Sequence, residues 1–279
     1  MHLFHDALVS FAERRVIQMK RQKIVSFDLD HTLVDHKTWE IPESALRAID
    51  ELRDSCKIVI ASGRDMDSPF SRGYQDQIKP DAVIHLNGTR ITVGTKDIYD
   101  HTFPANTLHA IMDYARERGY GMGSSVDGKD YYINPEKITA NDLRFYGKTS
   151  RNYQPVSQMP IRKVRMLHFI GSMEEAEELE ERFPEVRLLL FADKHGADIV
   201  ERSSSKAAGL RRLCQYFRIP IEDTVAFGDS MNDCEIIREA GIGVAMGNAT
   251  PELKASADYV TDAIDEDGIW NACKHLKLF

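Results

Sequence analysis

Short apolar runs of strand length alternate with helical stretches along most of the chain. Residues 23–29 form an apolar, β-rich run that ends at acidic positions, the pattern of a buried strand. A helix is expected over 41–53, with Ala45, Leu46, Ile49 and Leu52 on one face and Pro42 near its start. Strands follow at 58–61 and 82–86, ending in Ser62-Gly63-Arg64 and Asn87-Gly88. Strand and helix at this rhythm predict a parallel, doubly wound sheet.

From about 90 to 195 the pattern changes. Asp127-Gly128 between two β-rich segments signals a hairpin. Helices are expected over 107–118 and 173–183, the second opened by a capping box of Ser172 and Glu175. Strands at 163–170, 187–191 and 198–201 complete an α+β unit. From Lys206 the α/β rhythm returns, with helices over 207–217, 233–240, 251–257 and 268–276 and strands at 224–227, 242–245 and 258–260. The fold class read from this order is α/β: a Rossmann-like, doubly wound parallel-sheet core interrupted by an inserted α+β cap domain. The expected divisions are an N-terminal extension over 1–20, core over 21–89, cap over 90–195, and core again over 196–279.

Composition narrows the function classes. A chain of 279 residues suits two domains, and 42% hydrophobic with 29% charged residues suits a globular enzyme. No apolar run nears the roughly 18–20 residues needed to span a bilayer, so no membrane role is expected. The start of the chain has no signal-peptide core. Cys56, Cys214, Cys234 and Cys273 lie far apart with no C-x-x-C pair, which argues against a disulfide framework and for the cytoplasm. A net charge of −8 without a long basic block disfavours nucleic acid as a partner. Oligomeric state is not written in the pattern. Residues 1–20 read either as an amphipathic helix carrying Phe4, Leu8 and Phe11 or as a stretch upstream of a true start at Met19.

Chemistry-bearing residues fall where strands end, which is where open α/β sheets bind ligands. Asp28 and Asp30, at i and i+2, leave the first strand on the same side. Gly228-Asp229-Ser230-Met231-Asn232-Asp233 follows another apolar run. Like charges this close need a cation or a shared proton, and hard oxygen ligands converging from two strand ends suit Mg²⁺. Ser62, beside Gly63, stands at a possible helix start, where N–H groups favour anions. Lys206 opens a helix against the macrodipole, which points to a task there. Together these are the parts of phosphoryl transfer.

In order and kind, Asp28-x-Asp30-x-Thr32, Ser62, Lys206 and Gly228-Asp229-Ser230-x-Asn232-Asp233 resemble the four motifs of the haloacid dehalogenase (HAD) superfamily. The resemblance is to its Cof-like phosphatase branch with the large α/β cap (subclass IIB), and it runs over nearly the whole chain from Lys23. It implies a Mg²⁺-dependent phosphatase of a small phosphorylated metabolite, a sugar phosphate or similar phosphomonoester, acting through an aspartyl phosphate. Asp28 would be the nucleophile and Asp30 the general acid, then base. Ser62 and Lys206 would hold the phosphoryl group, with Thr32, Gly63 and Asn232 as further phosphate-binding positions. Mg²⁺ would be held by Asp28, the backbone carbonyl of Asp30 and Asp229, with Asp233 in support. The departure is His31, where that branch has Gly; its ring either narrows the entrance or packs on its surroundings.

Two other readings stand beside this one. A phosphomutase of the same fold would return the phosphoryl group to substrate, and a non-catalytic metabolite-binding protein would keep the fold alone. Tyr131, Tyr132, Asn134, Arg144 and Lys148 are the cap positions with side chains suited to a leaving group, each also readable as cap packing.

Overall fold

The computed structural model describes residues 22–191 and 195–279; the readings made for residues 1–20, including the start at Met19, lie outside them. The first half of the core runs β1 (Lys23–Phe27), α1 (Glu43–Leu52), β2 (Cys56–Ala61), α2 (Pro69–Ile78) and β3 (Ala82–His85). β4 (Arg90–Val93) and β5 (Lys96–Asp100) then form a hairpin. The inserted unit comprises α3 (Ala105–Arg118), β6 (Gly121–Val126), β7 (Lys129–Ile133), α4 (Pro135–Tyr146), β8 (Leu167–Ile170), α5 (Met173–Arg182), β9 (Val186–Leu190) and β10 (Gly196–Glu201). The core resumes with α6 (Lys206–Phe217), β11 (Thr224–Gly228), α7 (Cys234–Glu239), β12 (Ile242–Ala245), α8 (Pro251–Lys254), β13 (Tyr259–Val260) and α9 (Gly268–His275).

The core sheet has the order β13-β12-β11-β1-β2-β3-β4-β5 and is parallel from β13 through β3. Ile24, Val25 and Phe27 of β1 are all fully buried, as expected of a parallel strand covered on both faces. The sheet has its topological switch between β1 and β11: from β1 the chain goes on to β2 and β3 on one side, and β11 pairs on the other. A crevice opens at such a point beyond the carboxyl ends of the strands. The stacked rings of Phe27 and Phe227, 5.0 Å apart, lie immediately beneath it. On α1 the residues Ala45, Ala48, Ile49 and Leu52 face the sheet, the 3–4 spacing of a helical stripe.

The second sheet, β7-β6-β8-β10-β9, is antiparallel. It packs one face on α3 and α5 around Leu108, Ile111, Met122, Phe169 and Leu179. Asp127 and Gly128 take φ of 52° and 72° in the β6–β7 turn, the left-handed pair that a two-residue hairpin needs. The capping box at α5 is formed, Ser172 accepting from the Glu175 N–H and Glu175 from the Ser172 N–H.

Both boundaries of the insert differ from those read in the sequence. Residues 90–100, assigned there to the cap, lengthen the core sheet as β4 and β5, because Ile91 drops into the core cluster and Val93, Ile98 and Tyr99 pack on it. The strand read at 198–201 does belong to the α+β unit, as β10 of the cap sheet with Ala197 and Ile199 in the cap cluster, so the boundary placed at 195 falls too early and the cap runs on through Glu201. The strand expected from 163 begins only at Leu167, after a 3-10 turn over Ile161–Lys163 set up by Pro160. The helix α4, opened by Pro135, has no counterpart among the elements expected from the sequence.

Candidate active site

Three carboxylates and one ammonium meet at the switch point. Asp28 follows β1, Asp229 follows β11, and Asp233 closes the 3-10 turn Met231–Asp233. Oxygen atoms of the three lie within 4.8 Å of one another. Lys206, first residue of α6, places Nζ 2.6 Å from Asp28 Oδ1 and 2.7 Å from Asp233 Oδ1. Ser205 caps α6 by accepting the Ala208 N–H at 3.0 Å, which fixes where that lysine leaves the backbone. The other oxygen of Asp233 accepts the N–H groups of Asp229 and Ser230, so this side chain pins the loop that carries Asp229.

All four side chains are buried, Asp233 and Lys206 almost completely. Burial pushes Asp28 up to about 7, with Lys206 opposing and Asp233 and Asp30 adding to the rise. Burial also raises Asp229 well above the carboxylate range, and Asp28 and Asp233 raise it further. Burial alone would discharge Lys206, but Asp233 and Asp28 hold it positive. One ammonium against three buried carboxylates leaves an excess of two negative charges, and that deficit fits a divalent cation. A second acidic group, Asp65, Asp67 and His85, has its own cation: Arg90 lies 2.7 Å from Asp67 and 3.7 Å from Asp65.

The remaining residues singled out in the sequence are near this cluster, with some contacts other than expected. Thr32 is fully buried and its hydroxyl donates to Asp229 Oδ1 at 3.4 Å. Ser62 is buried at the end of β2, its Oγ accepting the Arg64 N–H at 3.0 Å. Asn232 reaches neither Lys206 nor Asp28 in a hydrogen bond; its amide donates to Asn87 Oδ1 and its carbonyl accepts from Ser230. A Cβ on Gly63 would stand 3.2 Å from both Asn87 Nδ2 and Asp198 Oδ2, so the missing side chain lets the cap approach the motif. Asp30 stands apart from the carboxylate cluster. Arg64 grips both of its oxygens at 2.8 and 2.5 Å, and His36 bonds Oδ1 at 2.6 Å. Burial would raise this carboxyl, but the His36 hydrogen bond and the Arg64 charge hold it well below its ordinary range.

A model of the haloacid dehalogenase-like hydrolases matches residues 25–273. The chain belongs to that family. It is 32% identical over 263 residues to the Bacillus subtilis protein YkrA, named as a candidate phosphatase, covering 92% of this chain and 98% of the other. It is 27% identical over 266 residues to the Bacillus subtilis 5-amino-6-(5-phospho-D-ribitylamino)uracil phosphatase YcsE, covering 92% and 96%. A solved HAD subclass IIB sugar phosphatase superposes with a TM-score of 0.82 at 29% identity, covering 92% of this chain and all of that one. The protein is thus a HAD-type phosphatase of the Cof-like, subclass IIB kind, with the α/β core and inserted cap of that group.

Within this HAD phosphatase the second face of the cap sheet is polar and turns toward the core. Asp198 of β10 accepts from Asn87 Nδ2 at 2.9 Å and pairs with His168 Nδ1 at 2.8 Å. The ring of His168 stacks on Tyr132, over which Arg151 lies. Of the cap positions named from sequence, only Tyr132 has its contacts on this face. Tyr131 joins the apolar cap cluster, Asn134 donates to the Tyr120 carbonyl, Arg144 lies over the Phe145 ring and Lys148 is exposed. His36, Arg64, Asn87, His168 and Asp198 were missed as site residues. For Arg64 and Asn87 a signal was present, since both sit beside strand-end motifs already recognised.

Proposed function

We propose that this HAD phosphatase hydrolyses a small phosphomonoester, a sugar phosphate or a compound of similar size, with Mg²⁺ as cofactor and Asp28 as the phosphoryl acceptor. The observation that carries the reading is the buried meeting of Asp28, Asp229 and Asp233 around Lys206, two positive charges short of neutrality. Asp28, Asp229 and Asp233 would hold the ion, with the backbone carbonyl of Asp30 as a further donor. When bound, it neutralises the carboxylates and the oxygens of the phosphoryl group.

The chain's own residues do the rest. Lys206 keeps Asp28 ionised and in place beside the reacting phosphorus, and lends its charge to the phosphoryl oxygens. Ser62 would supply a neutral donor to the phosphoryl group; Thr32 supports Asp229 instead. Asp28 attacks phosphorus while Asp30 gives the departing oxygen the proton it took from water in the preceding turnover. Asp30 then takes a proton from the water that releases phosphate. The polar cap face of Tyr132, His168 and Asp198 suits a hydroxyl-bearing leaving group. Relatives act on a sugar phosphate and on a ribityl phosphate attached to a pyrimidine, and both are small phosphomonoesters. Four buried cysteines far apart in sequence, with no C-x-x-C pair, accord with a cytoplasmic setting.

The test is phosphate release from a panel of phosphorylated metabolites, with Mg²⁺ or EDTA, by wild type and Asp28→Asn. Release should require Mg²⁺ and fall at least 10³-fold in the variant, as expected for loss of a covalent nucleophile. Undiminished turnover in Asp28→Asn would remove the aspartyl phosphate from the mechanism. Transfer between sugar positions without net phosphate release would make the protein a mutase.

A further inference from the structure

The segment between Asp30 and α1 folds as a small flap held by two isolated bridges, Asp30 to Val34 and Asp35 to Glu40. It carries three rings in a ladder. His36 lies between His31, 3.9 Å away, and Trp39, 4.3 Å away, measured between ring centroids. His31 and Trp39 both have positive φ, 59° and 61°. A non-glycine residue there costs on the order of 1–2 kcal/mol and persists only where surrounding contacts demand it. Those contacts are present: Asn248 donates to the His31 carbonyl at 2.8 Å, and the Tyr74 hydroxyl donates to the Trp39 carbonyl at 2.9 Å. Two strained residues, each tied down through its backbone, thus hold an imidazole between them.

That imidazole is aimed at Asp30. A carboxylate offers about four lone-pair sites, two on each oxygen. Arg64 takes one on each, Nη2 on Oδ1 and Nε on Oδ2, and is itself seated over the Phe70 ring at 5.0 Å. His36 Nε2 takes the second site on Oδ1. Oδ1 is then fully engaged, and the remaining site on Oδ2 is the one left to meet substrate or water. Arg64 alone would satisfy the charge, so the strained ladder has another consequence: it selects which oxygen reacts.

We propose that His36 is a positioning residue for Asp30, held by the His31–Trp39 ladder so that the proton of the reaction passes through Oδ2. This rests on the phosphatase reading above. In the first half-reaction the Asp28–phosphorus bond forms, the bond from phosphorus to the leaving oxygen breaks, and that oxygen takes from Oδ2 the proton left there by the water of the preceding turnover. In the second, water oxygen bonds to phosphorus, the Asp28–phosphorus bond breaks, and the water proton goes to Oδ2. The proposal also gives His31 its place: it supports His36, which a glycine at position 31 would not.

Phenyl phosphate and p-nitrophenyl phosphate test this with Mg²⁺ present. The two have nearly the same shape, but only the poorer leaving group, phenolate, needs a proton as it departs. The ratio kcat/KM covers all steps through departure of the leaving group, whichever later step limits turnover. His36→Ala should lower kcat/KM for phenyl phosphate about tenfold and leave that for p-nitrophenyl phosphate within about twofold. His36→Gln, which keeps an N–H donor, should recover part of the loss, and His31→Gly should reproduce a smaller part of it. Equal losses on both substrates, or no loss on either, would overturn the proposal. Failure of the reading beneath it has a different signature, namely Asp28→Asn turning over both compounds as wild type does.

Discussion

At the scale of single residues, Lys206 shows how position and environment oppose each other. The first turn of a helix is unfavourable for a cation, yet Lys206 stands there, buried, because Asp28 and Asp233 lie within hydrogen-bond reach. Removing one partner of a buried ionic group leaves the others uncompensated, which costs roughly 3–5 kcal/mol. Lys206→Met should therefore lose about that much stability in urea-unfolding measurements without Mg²⁺, along with nearly all phosphatase activity. A loss under 1 kcal/mol would mean that water or protons already neutralise the cluster. The aspartates around it differ in ways their spacing does not show. Asp28 and Asp30 are two residues apart, yet burial lifts one while His36 and Arg64 depress the other.

At the scale of elements, the site depends on close approaches between segments far apart in sequence. Gly88 has φ of +93°, and a Cβ there would stand 2.1 Å from the carbonyl oxygen of Ser205. This contact sets the end of β3 against the start of α6, and hence Asn87 against Lys206. Gly88→Ala should cost more than the roughly 1 kcal/mol of a simple conformational penalty, because the backbone of Ser205 must move. A fall in Tm of at least about 4 °C is expected, at about 2–4 °C per kcal/mol for a chain of this size. Activity should fall further than stability, since Ser205 also caps α6. A Gly88→Ala protein with unchanged Tm would show that the two loops are free to separate.

At the scale of the whole molecule, two apolar clusters, one per sheet, are joined by polar contacts. Asn87 bonds Asp198, Asp100 pairs with Arg165, and His101 pairs with Glu201 across the two connections to the cap. The site at this junction couples the stability of the protein to metal and pH. The carboxyl of Asp28 is raised to about 7 from an unfolded value near 4. The folded state thus holds more protons than the unfolded state between those limits, and metal-free stability should fall as pH rises through that window. Mg²⁺ needs the deprotonated form, so its stabilising effect should grow over the same range. Thermal melts with Mg²⁺ and with EDTA should differ more at pH 8 than at pH 5.5. An equal difference at both would place the ion elsewhere.

The sequence by itself determined most of the strand–helix order of the core, because β1, β2, β3, β11 and β12 are apolar runs and α1 and α6 carry apolar stripes, and both periods follow from local geometry. It also determined the motif residues at strand ends, since Asp28, Ser62, Lys206 and Asp229 each follow or open an element whose pattern is strong. The tertiary structure decided what pattern could not reach. Whether β4, β5 and β10 belong to core or cap depended on which cluster buries Ile91 and Ile199, a choice between two apolar surfaces that look alike from the strand. The clamp on Asp30 and the link from Asn232 through Asn87 to Asp198 join residues 6 to 145 positions apart. Such pairings carry no periodic signal, because hydrogen bonds between side chains are set by where the backbone places them after folding.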